Sequence, residues 1–82
     1  MIFEKVKRIT AKQLNLNEKN ININTSFDQD LSADSLDLFQ IIMEIEDEFN
    51  IQIENTDDIK TVGDVVEFIR DRIAERDLKG KI

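Results

Sequence analysis

The stretch Asp34-Ser35-Leu36-Asp37 offers a hydroxyl in a position where chemistry could be done on it. It opens an apolar run with helical spacing. Helix starts carry unpaired backbone N–H groups and a partial positive charge, and both favour phosphate. A phosphodiester on Ser35 would lie in that field. Asp34 and Asp37 oppose it with like charge, which a divalent cation could relieve. Serine is also a common helix cap, so position alone implies no more than capping.

Other chemistries have little to work with. The 82 residues include no His and no Cys. That removes the usual general base at neutral pH, the commonest zinc ligands, any thiolate nucleophile and any disulfide. Paired carboxylates are easy to find, but no cleft or polar partner is implied that would split their pKa values, so they read as solvated charge. Asp28-Gln29-Asp30-Leu31-Ser32 begins like a calcium-binding loop. Its sixth position, Ala33, should be Gly and its twelfth, Phe39, should be Glu, so it is not one. Weak surface binding of calcium or magnesium is compatible with the acidic run. No catalytic residue and no metal site is expected, and the chain does not read as an enzyme.

The elements that must position Ser35 follow from periodicity. Residues 2–16 read as a first helix, with Ile2, Val6, Ile9 and Leu16 at helical spacing. Residues 17–34 read as a long connection, Asn-rich at its start, pinned to the core by Ile21, Ile23, Phe27 and Leu31. Residues 35–50 read as the second helix, with Asp34 as N-cap and Asp37 completing a capping box. Residues 56–60 are expected to form a short helix. Residues 62–76 read as the last helix, capped by Thr61, with Asp64 at the third position and a stripe of Val62, Val65, Val66, Ile69 and Ile73. The fold class is all-α, a small four-helix bundle of three main helices plus one short one. The domain is expected over 1–76, and 77–82 as a polar tail.

The second helix has more apolar surface than a bundle needs. At 100° per residue, Ile41, Ile45, Leu38, Phe49 and Ile42 form a core stripe, while Leu36, Phe39 and Met43 form a second patch. Glu46 falls between the two, and Asp47 and Gln40 border the far side. A carboxylate inside the arc argues that the Leu36, Phe39, Met43 patch faces water. An apolar patch rimmed by acid suits partner binding. The alternative is that the bundle, or the short helix at 56–60, covers it.

The formal net charge is −7. Such a surface repels nucleic acid and anionic membrane and attracts basic protein patches. No apolar run is long enough for a signal peptide or a membrane span, so a cytoplasmic location is expected. A monomer is expected as well.

Three segments carry a resemblance. Phe27-Asp28-Gln29-Asp30-Leu31-Ser32-Ala33-Asp34-Ser35-Leu36-Asp37 resembles the attachment site of acyl carrier proteins, with the family's Asp-Ser-Leu at Asp34-Ser35-Leu36. Ile45-Glu46-Asp47-Glu48-Phe49-Asn50-Ile51 resembles the acidic end of that family's second helix, and Thr61-Val62-Gly63-Asp64-Val65-Val66 the start of its last. The likeness runs from about residue 2 to residue 76.

The resemblance implies a 4′-phosphopantetheine arm, donated by coenzyme A and attached covalently to Ser35 by a phosphopantetheinyl transferase. The arm would carry a growing acyl chain as a thioester to fatty acid synthesis enzymes and acyltransferases with basic patches. By position, the partner surface maps onto Asp34, Leu36, Asp37, Phe39, Met43, Glu46 and Asp47. Ser32 stands where the family usually has Gly, Gln40 where an acid is usual, and Glu54 where Pro often follows the second helix. Two alternatives stay open: a specialised carrier for polyketide, nonribosomal peptide or D-alanyl transfer, and an unmodified acidic interaction module.

Overall fold

The computed structural model describes the backbone of residues 1–80 and the side chains of residues 1–76. Among the described residues there are three α-helices: α1 (Ile2–Leu14), α2 (Ser35–Phe49) and α3 (Val62–Gly80). No strand accompanies them; one isolated antiparallel bridge joins Ser26 and Thr61.

Each helix ends where its sequence gives it reason to. Asn15 takes a left-handed conformation, φ 56°, and stops α1 short of Leu16. Leu16, expected on the first helix's inward stripe, is therefore exposed. Asn50 does the same for α2 at φ 54°. Asparagine tolerates this region better than most residues because its short amide can bond locally. At the start of α3, Thr61 Oγ1 accepts from the Asp64 N–H, and Asp64 Oδ2 accepts from the N–H groups of Lys60 and Thr61. This is the reciprocal cap the sequence predicted. The same helix continues past residue 76, the expected end, to Gly80, so 77–80 extend α3; residues 81 and 82 of the expected tail lie outside the described residues.

α1 packs against both α2 and α3. The core is Val6, Ala11, Ile41, Ile42, Ile45, Val62, Val65, Val66 and Ile69, with Ile21, Phe27, Ala33, Ile53 and Ile59 added by the connections. Ile9, one of the residues at helical spacing in the first helix, is half-buried at its edge. A fully buried Ile or Val contributes about 1.5–3 kcal/mol relative to exposure.

The long connection is held by backbone bonds as well as by side chains. Phe27 N–H donates to Lys60 O at 3.0 Å, Val62 N–H to Thr25 O at 2.9 Å, and Gly63 N–H to Ile23 O at 2.8 Å. The approach at Gly63 is close: a Cβ there would stand 2.8 Å from Ile23 O. Ile21 and Phe27 are buried as expected and Leu31 half-buried, but Ile23 is exposed: its carbonyl, rather than its side chain, does the pinning. Residues 56–60, expected to be a short helix, make only a turn in which Ile59 N–H donates to Thr56 O. The short helical element lies instead at Glu18–Asn20, one 3-10 turn capped by Asn17.

Candidate functional site

Ser35 is the first residue of α2. Asp34 Oδ1 accepts from the Asp37 N–H at 2.9 Å, and Asp37 Oδ2 accepts from the Asp34 N–H at 3.4 Å. Capping is thus done by the two aspartates, which leaves the Ser35 hydroxyl out of it. Ser35 is exposed, and its Oγ has no hydrogen-bond partner among the described residues. The N–H groups of Ser35 and Leu36 likewise lack an acceptor there, as the first turn of a helix requires.

The turn that delivers the chain to Ser35 is built locally. Ser26 N–H donates to Asp30 Oδ2 at 2.8 Å and Gln29 N–H to Ser26 Oγ at 3.1 Å. Ala33 N–H then reaches back to Phe27 O at 2.8 Å. Closing this loop puts Ser32 at φ 53°, where a side chain crowds the backbone and glycine does not. Asp30, the third position of the calcium-loop-like stretch, is spent on this turn. Among the described residues no group of three or more acidic side chains is placed to hold a metal ion.

Beside Ser35 runs an open groove of about 510 Å³, lined by Phe27, Ala33, Leu38 and Ile59 with Asp28, Asp34 and Lys60 among its polar groups. Periodicity gave no sign of it. Its walls come from the connection and from the segment before α3, and only their backbone pairing brings them to the start of α2.

Along α2 the expected division is present. Ile41, Ile42 and Ile45 are buried, whereas Leu36 is 64% exposed, Phe39 59% and Met43 50%. The turn at 56–60 does not cover this patch. Asp34 and Asp47 are exposed beside it. Asp37 is half-buried in its cap. Glu46 is also half-buried, and its Oε2 accepts from the Ile53 N–H at 2.8 Å, so it braces the chain after α2. Gln40 pairs with Gln13 of α1. The far end of α2 is closed by Arg76, whose Nη1 donates to Phe49 O and Asn50 O at 3.2 and 3.0 Å. A cation there suits the negative end of a helix. Sequence reasoning missed this contact because nothing local links positions so far apart.

Two comparisons place this geometry. Residues 4–69 match the family model described as the phosphopantetheine attachment site. The acyl carrier protein of Streptococcus pneumoniae is 49% identical over 71 residues, which is 87% of this chain and 95% of that protein. Those of Streptococcus thermophilus (over the same shares) and Lactococcus lactis subsp. cremoris (over 83% of this chain and 92% of that protein) are each 46% identical. The chain belongs to the acyl carrier proteins.

The prosthetic group of an acyl carrier protein is 4′-phosphopantetheine, held covalently, and the family's members are carriers rather than catalysts. The start of α2 fits such a group. It offers a free hydroxyl, unpaired N–H groups and an adjoining groove with an apolar floor. No helix among the described residues is long and apolar enough to cross a membrane.

Proposed function

We propose that Ser35 is the attachment point, and that the chain carries acyl groups there as thioesters on phosphopantetheine for fatty acid synthesis. The Ser35 oxygen forms a new bond to the phosphorus bearing pantetheine in coenzyme A. The pyrophosphate P–O bond breaks, the adenosine bisphosphate leaves, and the serine proton passes to a base of the transferase. The thiol at the arm's end then holds the acyl chain. The observation that carries this reading is a solvent-exposed, unbonded serine hydroxyl at a helix N-terminus whose caps are supplied by its neighbours.

The exposed patch of Leu36, Phe39 and Met43, with Asp34 and Asp47 beside it, supports docking of a phosphopantetheinyl transferase and then of synthesis enzymes bearing basic patches. Asp37 and Glu46 contribute to that surface through the shape of α2, since their carboxylates are engaged by backbone N–H groups. The chain would act as a monomer, with residues 1–76 as the carrier domain, in the cytoplasm where coenzyme A supplies the arm.

Intact mass tests the assignment. With coenzyme A and a competent transferase, the protein should gain one phosphopantetheine, and Ser35→Ala should gain none. A mass that never changes in the wild type would leave an unmodified interaction module as the reading. Gain of the group by Ser35→Ala would move the attachment elsewhere.

A further inference from the structure

We propose that Lys60 is a positioning residue for the phosphopantetheine arm, holding its phosphodiester at the mouth of the groove beside Ser35. This inference rests on the Ser35 attachment above and goes beyond it, since attachment needs only the hydroxyl. Ser35 and Lys60 line the same groove. Among the groove's lining residues Lys60 is the one cation, and Asp28 and Asp34, which line it too, both repel a phosphodiester. In a chain with eleven Lys and Arg against eighteen Asp and Glu, Lys60 is, among the groove's lining residues, the only charged side chain that would oppose that repulsion.

The backbone of Lys60 is fixed from both sides. Its N–H donates to Asp64 Oδ2 at 2.9 Å, and its carbonyl accepts from Phe27 N–H at 3.0 Å. Its attachment point relative to the 26–33 turn is therefore set by the fold. Its ammonium has no ion-pair partner among the described residues, whereas Lys5 pairs with Glu48 and Lys7 with Glu4. Asp64 also acts on it by charge without closing to an ion pair, and its Oδ2 is already engaged by two N–H groups. The ammonium is thus available to a phosphodiester, and the apolar floor of Phe27, Leu38 and Ile59 to the arm beyond it. Lys60 would set how often the arm lies along the groove and how often it extends into water.

The test compares apo and holo protein by amide NMR and by phosphorus relaxation, in the wild type, Lys60→Gln and Lys60→Arg, with loading checked by intact mass. Loading the wild type should shift the amides of Phe27, Ile59 and Lys60. In Lys60→Gln those shifts should shrink about two-fold to five-fold, the range an exposed ion pair commands, and the phosphorus should move more freely. Lys60→Arg should retain them. In the wild type, added salt should shrink the same shifts, a readout that stands even if a variant folds poorly. Equal shifts in all three proteins, or wild-type shifts confined to Ser35 and its immediate neighbours, would overturn the role of Lys60 while leaving the attachment intact. Absence of loading in the wild type would overturn both, and the mass alone reports that.

Discussion

Glu46 and Ile53 are joined across the end of α2: the glutamate Oε2 accepts the Ile53 backbone N–H at 2.8 Å. Ile53 is buried, so its N–H has little water to turn to. A carboxylate expected to face partners is thus turned onto its own chain, and it ties α2 to the connection leading to α3. Glu46→Ala should cost about 1–2 kcal/mol, because it strands a buried donor. Asp47→Ala, at an exposed position, should change stability by no more than about 0.5 kcal/mol. Urea denaturation of the two variants checks the contrast; equal losses would mean the Glu46 bond contributes nothing.

Thr10 is fully buried in α1, and its Oγ1 has no hydrogen-bond partner among the described residues. An unpartnered buried hydroxyl carries a desolvation penalty of roughly 1–3 kcal/mol. Thr10→Val keeps the shape and removes the polar atom. It should raise stability by about 1 kcal/mol, read as a higher denaturation midpoint with an unchanged slope. A loss of stability would show that the hydroxyl bonds to the helix backbone.

Two backbone N–H groups, from Lys60 and then Thr61, hold the Asp64 carboxyl below its ordinary value of 3.8. A folded pKa below the unfolded one gives stability that is complete above the unfolded value and is lost as pH falls through the folded one. Asp64→Asn should therefore be less stable than wild type at neutral pH, and the gap should close as pH falls below about 4. Melting curves taken between about pH 6 and about pH 2 test this. A gap that stays constant with pH would assign the stabilisation to shape rather than to charge.

The patch formed by Leu36, Phe39 and Met43 contributes little to the fold, being half or more exposed at each residue. Phe39→Ala should leave stability within about 0.5 kcal/mol of wild type. It should weaken docking of a loading transferase by about 1–2 kcal/mol or more, as loss of an aromatic anchor does. The acidic rim should act on rate instead, so association should slow steeply with ionic strength. Titration of transferase binding and stopped-flow at two salt concentrations separate the two effects. Normal docking by Phe39→Ala would remove the patch from the interface.

Some of this was legible in the chain and some was not, and the division follows the range of the interactions. The caps at Asp34 and Thr61, the inward stripe of Ile41, Ile42 and Ile45, and the outward Leu36, Phe39 and Met43 are local matters. They depend on residues within a turn or two, so 100° of rotation per residue decides them. The short helix expected at 56–60 closes only one turn, Ile59 N–H to Thr56 O, because the chain from Lys60 onward is drawn out to pair with the distant 23–27 segment.

What the sequence by itself determined was the helical class, the serine at the start of α2 and the two faces of that helix, because periodicity and capping chemistry are written in neighbouring residues. Only the tertiary structure decided that Glu46 turns inward, that Arg76 closes α2, and that Lys60 shares a groove with Ser35. Those relationships link residues up to 27 positions apart, and packing rather than local preference brings them into contact.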